Sequence, residues 1–163
     1  MTKTRFSQHL DLSHDEHKLK GCGIASLGMI LGDKITNLDE LYHLGLEQGA
    51  YVPGIGWKHA GLANLAKHFG FNNSYNLDLA KESLEVALNK LKAELAQGPV
   101  LASVFANYEV GHKDGHIVVL LSLNDDQAEV LDPAAKDHAD IHQFIPTSKF
   151  LRGWKKRLIV VRA

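Results

Sequence analysis

Gly21-Cys22-Gly23-Ile24-Ala25-Ser26-Leu27-Gly28-Met29-Ile30-Leu31-Gly32 is the stretch on which the fold turns. It sets the sole cysteine of the chain at the head of a segment that is apolar nearly all round. Such a segment predicts a helix buried in a core, with Cys22 in its first turn. Gly21 and Gly23 flank the thiol and leave the backbone free to bend sharply there. Unpaired amides and the macrodipole at a helix start favour a thiolate, and cysteines so placed can titrate as low as ~3.5 instead of ~8.5. The same pattern also suits an inert cysteine acting as a small buried hydrophobe, the commoner fate of a lone thiol. Whether the chain supplies a base decides between the two.

Outward from this helix, the whole chain of 163 residues reads as one domain, residues 1–163, long enough to bury about 70% of its unfolded surface. One cysteine excludes an internal disulfide framework and suits a reducing compartment. A net charge of -1 and a pI near 6.8 give no field that favours nucleic acid or an anionic membrane. No apolar run resembles a signal peptide or a membrane span. The expected location is cytoplasmic, or outside the cell by a route without a signal peptide.

Residues 1 to 21 are polar and read as an extended lead-in. Thr36-Asn37-Leu38-Asp39-Glu40-Leu41 opens a second helix with cap residues and early acids,, ending near Gly45 to Gly49. Tyr51-Val52-Pro53-Gly54-Ile55-Gly56 is a breaker-rich loop. Trp57 to Phe69 and Leu79 to Leu95 carry apolar residues at helical spacing,. Up to Gly98 the chain reads as helical throughout. Its character then changes: Pro99 to Phe105, Ile117 to Leu123 and Ala128 to Leu131 are apolar, β-branched runs that predict strands,. Asn124-Asp125-Asp126-Gln127 joins the last two as a hairpin. A polar loop from Pro133 to about His142, a short helix over Thr147 to Trp154 and a closing strand over Leu158 to Val161 follow. A helical first half ahead of an antiparallel sheet is an α+β arrangement.

The hairpin makes a chemical prediction. His116 begins one of its strands and Asp132 follows the end of the other, so the two side chains are expected to be neighbours. An imidazole held by a carboxylate at one nitrogen can take a thiol proton with the other. Cys22 then has its base.

These three segments, Gly21 to Leu31, Gly115-His116-Ile117-Val118-Val119-Leu120 and Val130-Leu131-Asp132-Pro133-Ala134, resemble in order and spacing the bacteriocin-leader-processing (double-glycine) cysteine peptidases and their stand-alone relatives. The resemblance implies a papain-like fold, with Cys22 as nucleophile, His116 as general base and acid, and Asp132 orienting the histidine. It also implies a peptide or protein substrate, cleaved after a small residue such as glycine, and no cofactor. The chain departs from the family in one place. The glutamine usually found about six residues before the cysteine, where it helps hold the oxyanion, is replaced by Glu16, with His17 beside it. Three readings stay open: His17 donates in its place, the loop is offset so that Gln8 reaches in, or the oxyanion site is incomplete.

Of the ten histidines, the His112/His116 and His138/His142 pairs have metal-like spacing but lie in loops and beside strands, which does not align both rings on one helical face. No metal is expected. His9, His14, His43, His59 and His68 read as surface residues, and Trp57 and Trp154 as core aromatics, Trp57 also being placed to line a cleft. The sequence thus points to a thiol hydrolase that cleaves a peptide or amide bond through an acyl-enzyme. A catalytically silent peptide-binding module of the same fold, or a deamidase or acyltransferase using the same triad, are the alternatives.

Overall fold

Alternation along the strands of the second half sets the architecture. The computed structural model describes residues 4–163. In chain order its elements are α1 (Asp15–Leu19), α2 (Cys22–Leu31), α3 (Leu38–Glu47), β1 (Tyr51–Val52), β2 (Gly56–Trp57), α4 (His59–His68), β3 (Tyr75–Asp78), α5 (Leu84–Leu95), β4 (Val100–Phe105), β5 (Gly115–Leu123), β6 (Gln127–Leu131), β7 (His142–Pro146), α6 (Thr147–Gly153) and β8 (Trp154–Val160). Strands β3 to β8 form one antiparallel sheet in the order β3-β8-β4-β5-β6-β7. The architecture is α+β, as the sequence predicts.

Successive residues of a strand point to opposite faces, and here both faces are covered. Leu101, Ile117, Val119, Leu131 and Ile159 pack with α2, α3 and α4 in one core layer. Val100, Ala102, Val104, Val118, Leu120 and Leu158 pack with α5 and α6 in the other. This two-sided burial is why β4 and β5 are apolar along most of their length instead of alternating with polar residues,. Helix α2 lies directly on β5: Ile24, Ala25 and Leu27 are fully buried, and the Ser26 hydroxyl donates to the Ile117 carbonyl at 2.9 Å. Each buried Leu or Ile in this layer contributes roughly 1.5–3 kcal/mol. No helix among the described residues is long and apolar enough to cross a membrane.

Several segments depart from the sequence reading. The extended lead-in instead contains α1, whose acids at Asp15 and Glu16 pair with Lys18 and Lys20 one turn on, at 3.6 Å each; residues 1–3 of that segment lie outside the described residues. The loop from Tyr51 to Gly56 closes on itself as the β1–β2 ribbon. The first half is not all helical, since β3 adds an edge strand on β8. Likewise β7 replaces the end of the polar loop and pairs with β6. Both edge strands are short and keep few residues buried, because each pairs on one side only,. Leu79 is buried ahead of α5, which starts only after Ser83 caps the Val86 amide at 3.2 Å.

Candidate active site

Close approach explains the glycines around Cys22. Gly21 has an ordinary negative φ of -93°, so freedom to bend is not what it provides. A Cβ at Gly21 would stand 2.4 Å from Leu12 Cδ1 and 2.9 Å from the His17 carbonyl oxygen. One at Gly23 would lie 3.1 Å from Leu62 Cδ1, 3.3 Å from Trp57 Cδ1 and 3.4 Å from Ile117 Cδ1. The two glycines let the lead-in fold over the helix start and let that start settle onto β5. The half-buried Cys22 thiol is thereby brought against the opening of β5.

His116 is the second residue of β5 and pairs across the ladder with Val104. Asp132 follows the last residue of β6, and its amide donates to the Ile141 carbonyl at 2.8 Å. The pairing of β5 with β6 brings His116 Nε2 to 2.7 Å from Asp132 Oδ1, both side chains being largely buried at 13% and 18% exposure. The same carboxylate oxygen accepts from the Ala134 amide at 2.9 Å. With Nε2 engaged, Nδ1 is the nitrogen left for the Cys22 thiol, which shares one cleft with the ring.

The electrostatics follow from this contact. Burial pushes the Cys22 thiol up, but the hydrogen bond and charge of His116, aided by the backbone at Ile117 and Gly23, outweigh it and hold the thiol below its ordinary value. Burial works to lower His116; the bonds to Asp132 and Cys22 overcome it and raise the imidazole to about 10. Asp132 is held low because His116 and the Ala134 amide prevail over burial. The combination favours a thiolate beside an imidazolium.

A cleft of about 630 Å³ opens over the pair, lined by Cys22, His116, Trp57, Ile55 and Lys155 among others. Trp57 is buried and still forms part of its wall, fixed by an indole N–H that donates to the Lys20 carbonyl at 2.7 Å. His59, read from sequence as a surface residue, is half-buried in the cleft wall. Behind the pair, a recess of about 340 Å³ is lined by Asp132, Tyr108 and Gln143.

The lead-in positions its polar residues unequally. Glu16, at the place of the absent glutamine, is 79% exposed and pairs with Lys20. His17 stacks face to face on Tyr42, with centroids 3.8 Å apart and planes 11° apart; neither it nor Gln8 is among the residues lining the cleft. Gln8, in contrast, is 7% exposed. Its Cβ is 3.2 Å from the point a Gly21 Cβ would occupy, and its backbone amide donates to the Pro133 carbonyl at 2.8 Å, next to Asp132. The Gln8 side-chain amide donates to the Lys18 carbonyl at 2.8 Å. The structure therefore brings Cys22, His116 and Asp132 together and packs Gln8, not His17, against the turn that carries the thiol. Counting six residues back from Cys22 reaches Glu16 and not Gln8, because α1 is interposed.

Among the described residues no group of three or more His, Cys, Asp or Glu side chains is arranged to hold a metal ion. The paired histidines are otherwise engaged: His138 with Asp11 at 2.7 Å, His142 with Glu129 at 2.9 Å, and His112 Nδ1 with the Asp114 amide at 3.1 Å.

Solved structures share this fold. A C39-like peptidase from Bacillus anthracis superposes with a TM-score of 0.68 at 18% identity, covering 99% of this chain and 96% of that one. The peptidase domain of Streptococcus ComA, a bi-functional ABC transporter involved in a quorum sensing pathway, gives 0.60 at 18% identity, with 93% and 96% covered. A double glycine motif protease from an AMS/PCAT transporter, in complex with the leader peptide, gives 0.57 at 21% identity, with 98% and 95% covered. No curated protein matches the sequence. The model of the Peptidase C39 family matches residues 13–163, from the segment before α1 to the last residue, and the chain accordingly belongs to that family.

Proposed function

We propose that the chain is a cysteine peptidase in which Cys22 is the nucleophile, His116 its base and acid, and Asp132 the residue that orients and charges the histidine. The single observation that carries this reading is the 2.7 Å contact of His116 Nε2 with Asp132 Oδ1, which leaves the other ring nitrogen to a thiol held below its ordinary value. The Cys22 thiolate attacks the carbonyl carbon of a peptide bond and forms a tetrahedral oxyanion. The Cys22 amide at the start of α2 and the Gln8 side-chain amide are the proposed donors to that oxygen. His116 delivers its proton to the departing amine, and the C–N bond breaks to leave a thioester on Cys22. A water molecule, giving its proton to His116, then attacks the thioester and releases the acid and the thiol.

Family membership and a cleft open to an extended chain support a peptide as substrate. Incubation with a complex peptide mixture, followed by mass spectrometry of new termini, tests the reading. Cleavage that disappears in Cys22→Ala supports it; a product spectrum identical in the two proteins refutes it and leaves a peptide-binding role for the cleft.

A further inference from the structure

Strand β8 carries an irregularity that the catalytic reading does not use. Its ladder with β4 pairs Ser103 with Arg157 and next Val104 with Trp154, so Lys155 and Lys156 are extra residues on β8. Lys156 takes a left-handed φ of 57°, which a lysine adopts only where its surroundings hold it there. They do: its ammonium donates to the Glu82 carbonyl at 2.7 Å, and its own carbonyl accepts from the Leu79 amide at 2.8 Å. Bulges of this kind re-aim a neighbouring side chain.

The side chain re-aimed here is Lys155, which lines the same cleft as Cys22 and His116. Its ammonium sits 4.8 Å from the centre of the Phe105 ring and 3.1 Å from where a Cβ on Gly115 would be. The residue immediately before His116 thus leaves room for this ammonium. Among the described residues Lys155 has no ion-pair partner. Lys20, the other ammonium of the cleft, is paired with Glu16, and Asp114, the carboxylate that shares the cleft, is exposed and forms no ion pair with Lys155 among the described residues. Nearby Arg157 is paired with Asp78 at 3.3 Å. His59 is held below its ordinary value by burial and by Arg157, with Lys155 adding to the effect. The cleft beside the scissile bond thus offers an ammonium, oriented by an aromatic face and lacking a counter-ion.

We propose that Lys155 is a specificity residue that receives a carboxylate of the bound peptide, so that the cleft selects substrates with an acidic group close to the bond that is cut. The inference rests on the proposed peptidase reading only in taking this cleft as the substrate site. The carboxylate comes from an Asp or Glu side chain or from a peptide C-terminus, and the two sources are separable.

The test uses full-length Cys22→Ala protein, in which binding is measured without turnover, and hexapeptide amides scanned position by position with Asp or Glu against Asn or Gln. An acidic residue at one position is expected to bind roughly tenfold more tightly than its amide, as a charge-assisted contact in a partly open site implies, and less so at raised salt. The preference is expected to vanish in Cys22→Ala/Lys155→Met and to survive in Cys22→Ala/Lys155→Arg, which excludes a purely packing role against Phe105. The same hexapeptides with a free C-terminus are measured beside the amides, and a gain in binding over the amide that Lys155→Met removes, with no preference in the side-chain scan, assigns the carboxylate to the chain end. Equal binding in both comparisons, acidic against amide side chain and free against amidated C-terminus, a preference that persists in the Met variant, or no binding by any peptide overturns the proposal. A preference that holds while wild-type protein shows no Cys22-dependent cleavage refutes the peptidase reading alone.

Discussion

His116 Nε2 and Asp132 Oδ1 stand 2.7 Å apart across the β5–β6 hairpin, and the Ala134 amide donates to the same oxygen at 2.9 Å. The carboxylate is therefore fixed from two directions before it meets the ring. Asp132→Asn keeps the shape and removes the charged partner whose hydrogen bond, together with Cys22, raises His116. On the proposed mechanism kcat is expected to fall about 10²-fold, the lower end of what positioned proton transfer contributes, as measured on any peptide that wild type cleaves. Stability should respond too. Asp132 is lower in the folded state than its ordinary 3.8, so its contribution is present above that pH and lost as pH falls through the folded value. His116 is raised from 6.5 to about 10, so its contribution is complete below the first value and lost as pH rises through the second. The melting temperature of Asp132→Asn should therefore fall furthest below wild type between about pH 4 and 6.5, by the equivalent of roughly 3–5 kcal/mol, and converge with it at either extreme.

The acidity of Cys22 gives a second expectation, independent of any substrate. With the thiol held low and His116 charged up to about 10, alkylation by iodoacetamide should remain fast near pH 6, where an ordinary thiol is almost wholly protonated. His116→Ala should move the pH–rate profile up toward that of a free thiol and slow the reaction at pH 6 by at least about tenfold. Identical profiles for the two proteins would contradict an ion pair.

Gln8 and His17 make opposite predictions. If the Gln8 amide holds the oxyanion, Gln8→Ala should lower kcat by roughly 10²- to 10³-fold while leaving the alkylation rate of Cys22 near wild type, since no oxyanion forms in that reaction. His17→Ala, which removes a ring stacked on Tyr42, should leave kcat within about twofold. The reverse pattern would return the oxyanion role to His17.

Gly21 is constrained by its neighbours. Gly21→Ala forces a methyl into Leu12 and the His17 carbonyl, at 2.4 and 2.9 Å, and overpacking of this kind costs about 1–3 kcal/mol. Because the displaced elements carry both Cys22 and Gln8, the alkylation rate should also change, whereas an equally destabilising change in the α5 layer, such as Leu91→Val, should leave it alone. Denaturant midpoints and alkylation rates on the two variants check this.

What could be read from the sequence followed the apolar runs. The α2 segment is hydrophobic because it is sandwiched, β4 and β5 because both their faces are covered, and the turn at residues 124–127 is short enough to imply which strand ends meet. That was sufficient to put His116 beside Asp132. Strands β3 and β7 are not legible because each is held by pairing with one neighbour, β8 or β6, and neither has more than two large apolar residues in a row. Gln8 was only one of three options because spacing along a chain does not measure distance once a helix such as α1 intervenes. The bulge at Lys155 and Lys156 left no trace in composition, being a property of register with β4.

The hydrogen bond from Ser26 to the Ile117 carbonyl has a last consequence. Ser26 lies one turn beyond Cys22 on α2, and Ile117 follows His116 on β5, so this one bond, 2.9 Å long, pins the helical layer to the sheet beside the reacting pair. Thiol and imidazole belong to different layers, and their separation registers any slip of one layer over the other. The rate at which Cys22 is alkylated is thus an internal vernier for the seating of α2 on β5, one that changes when the layers shift, well before the protein unfolds.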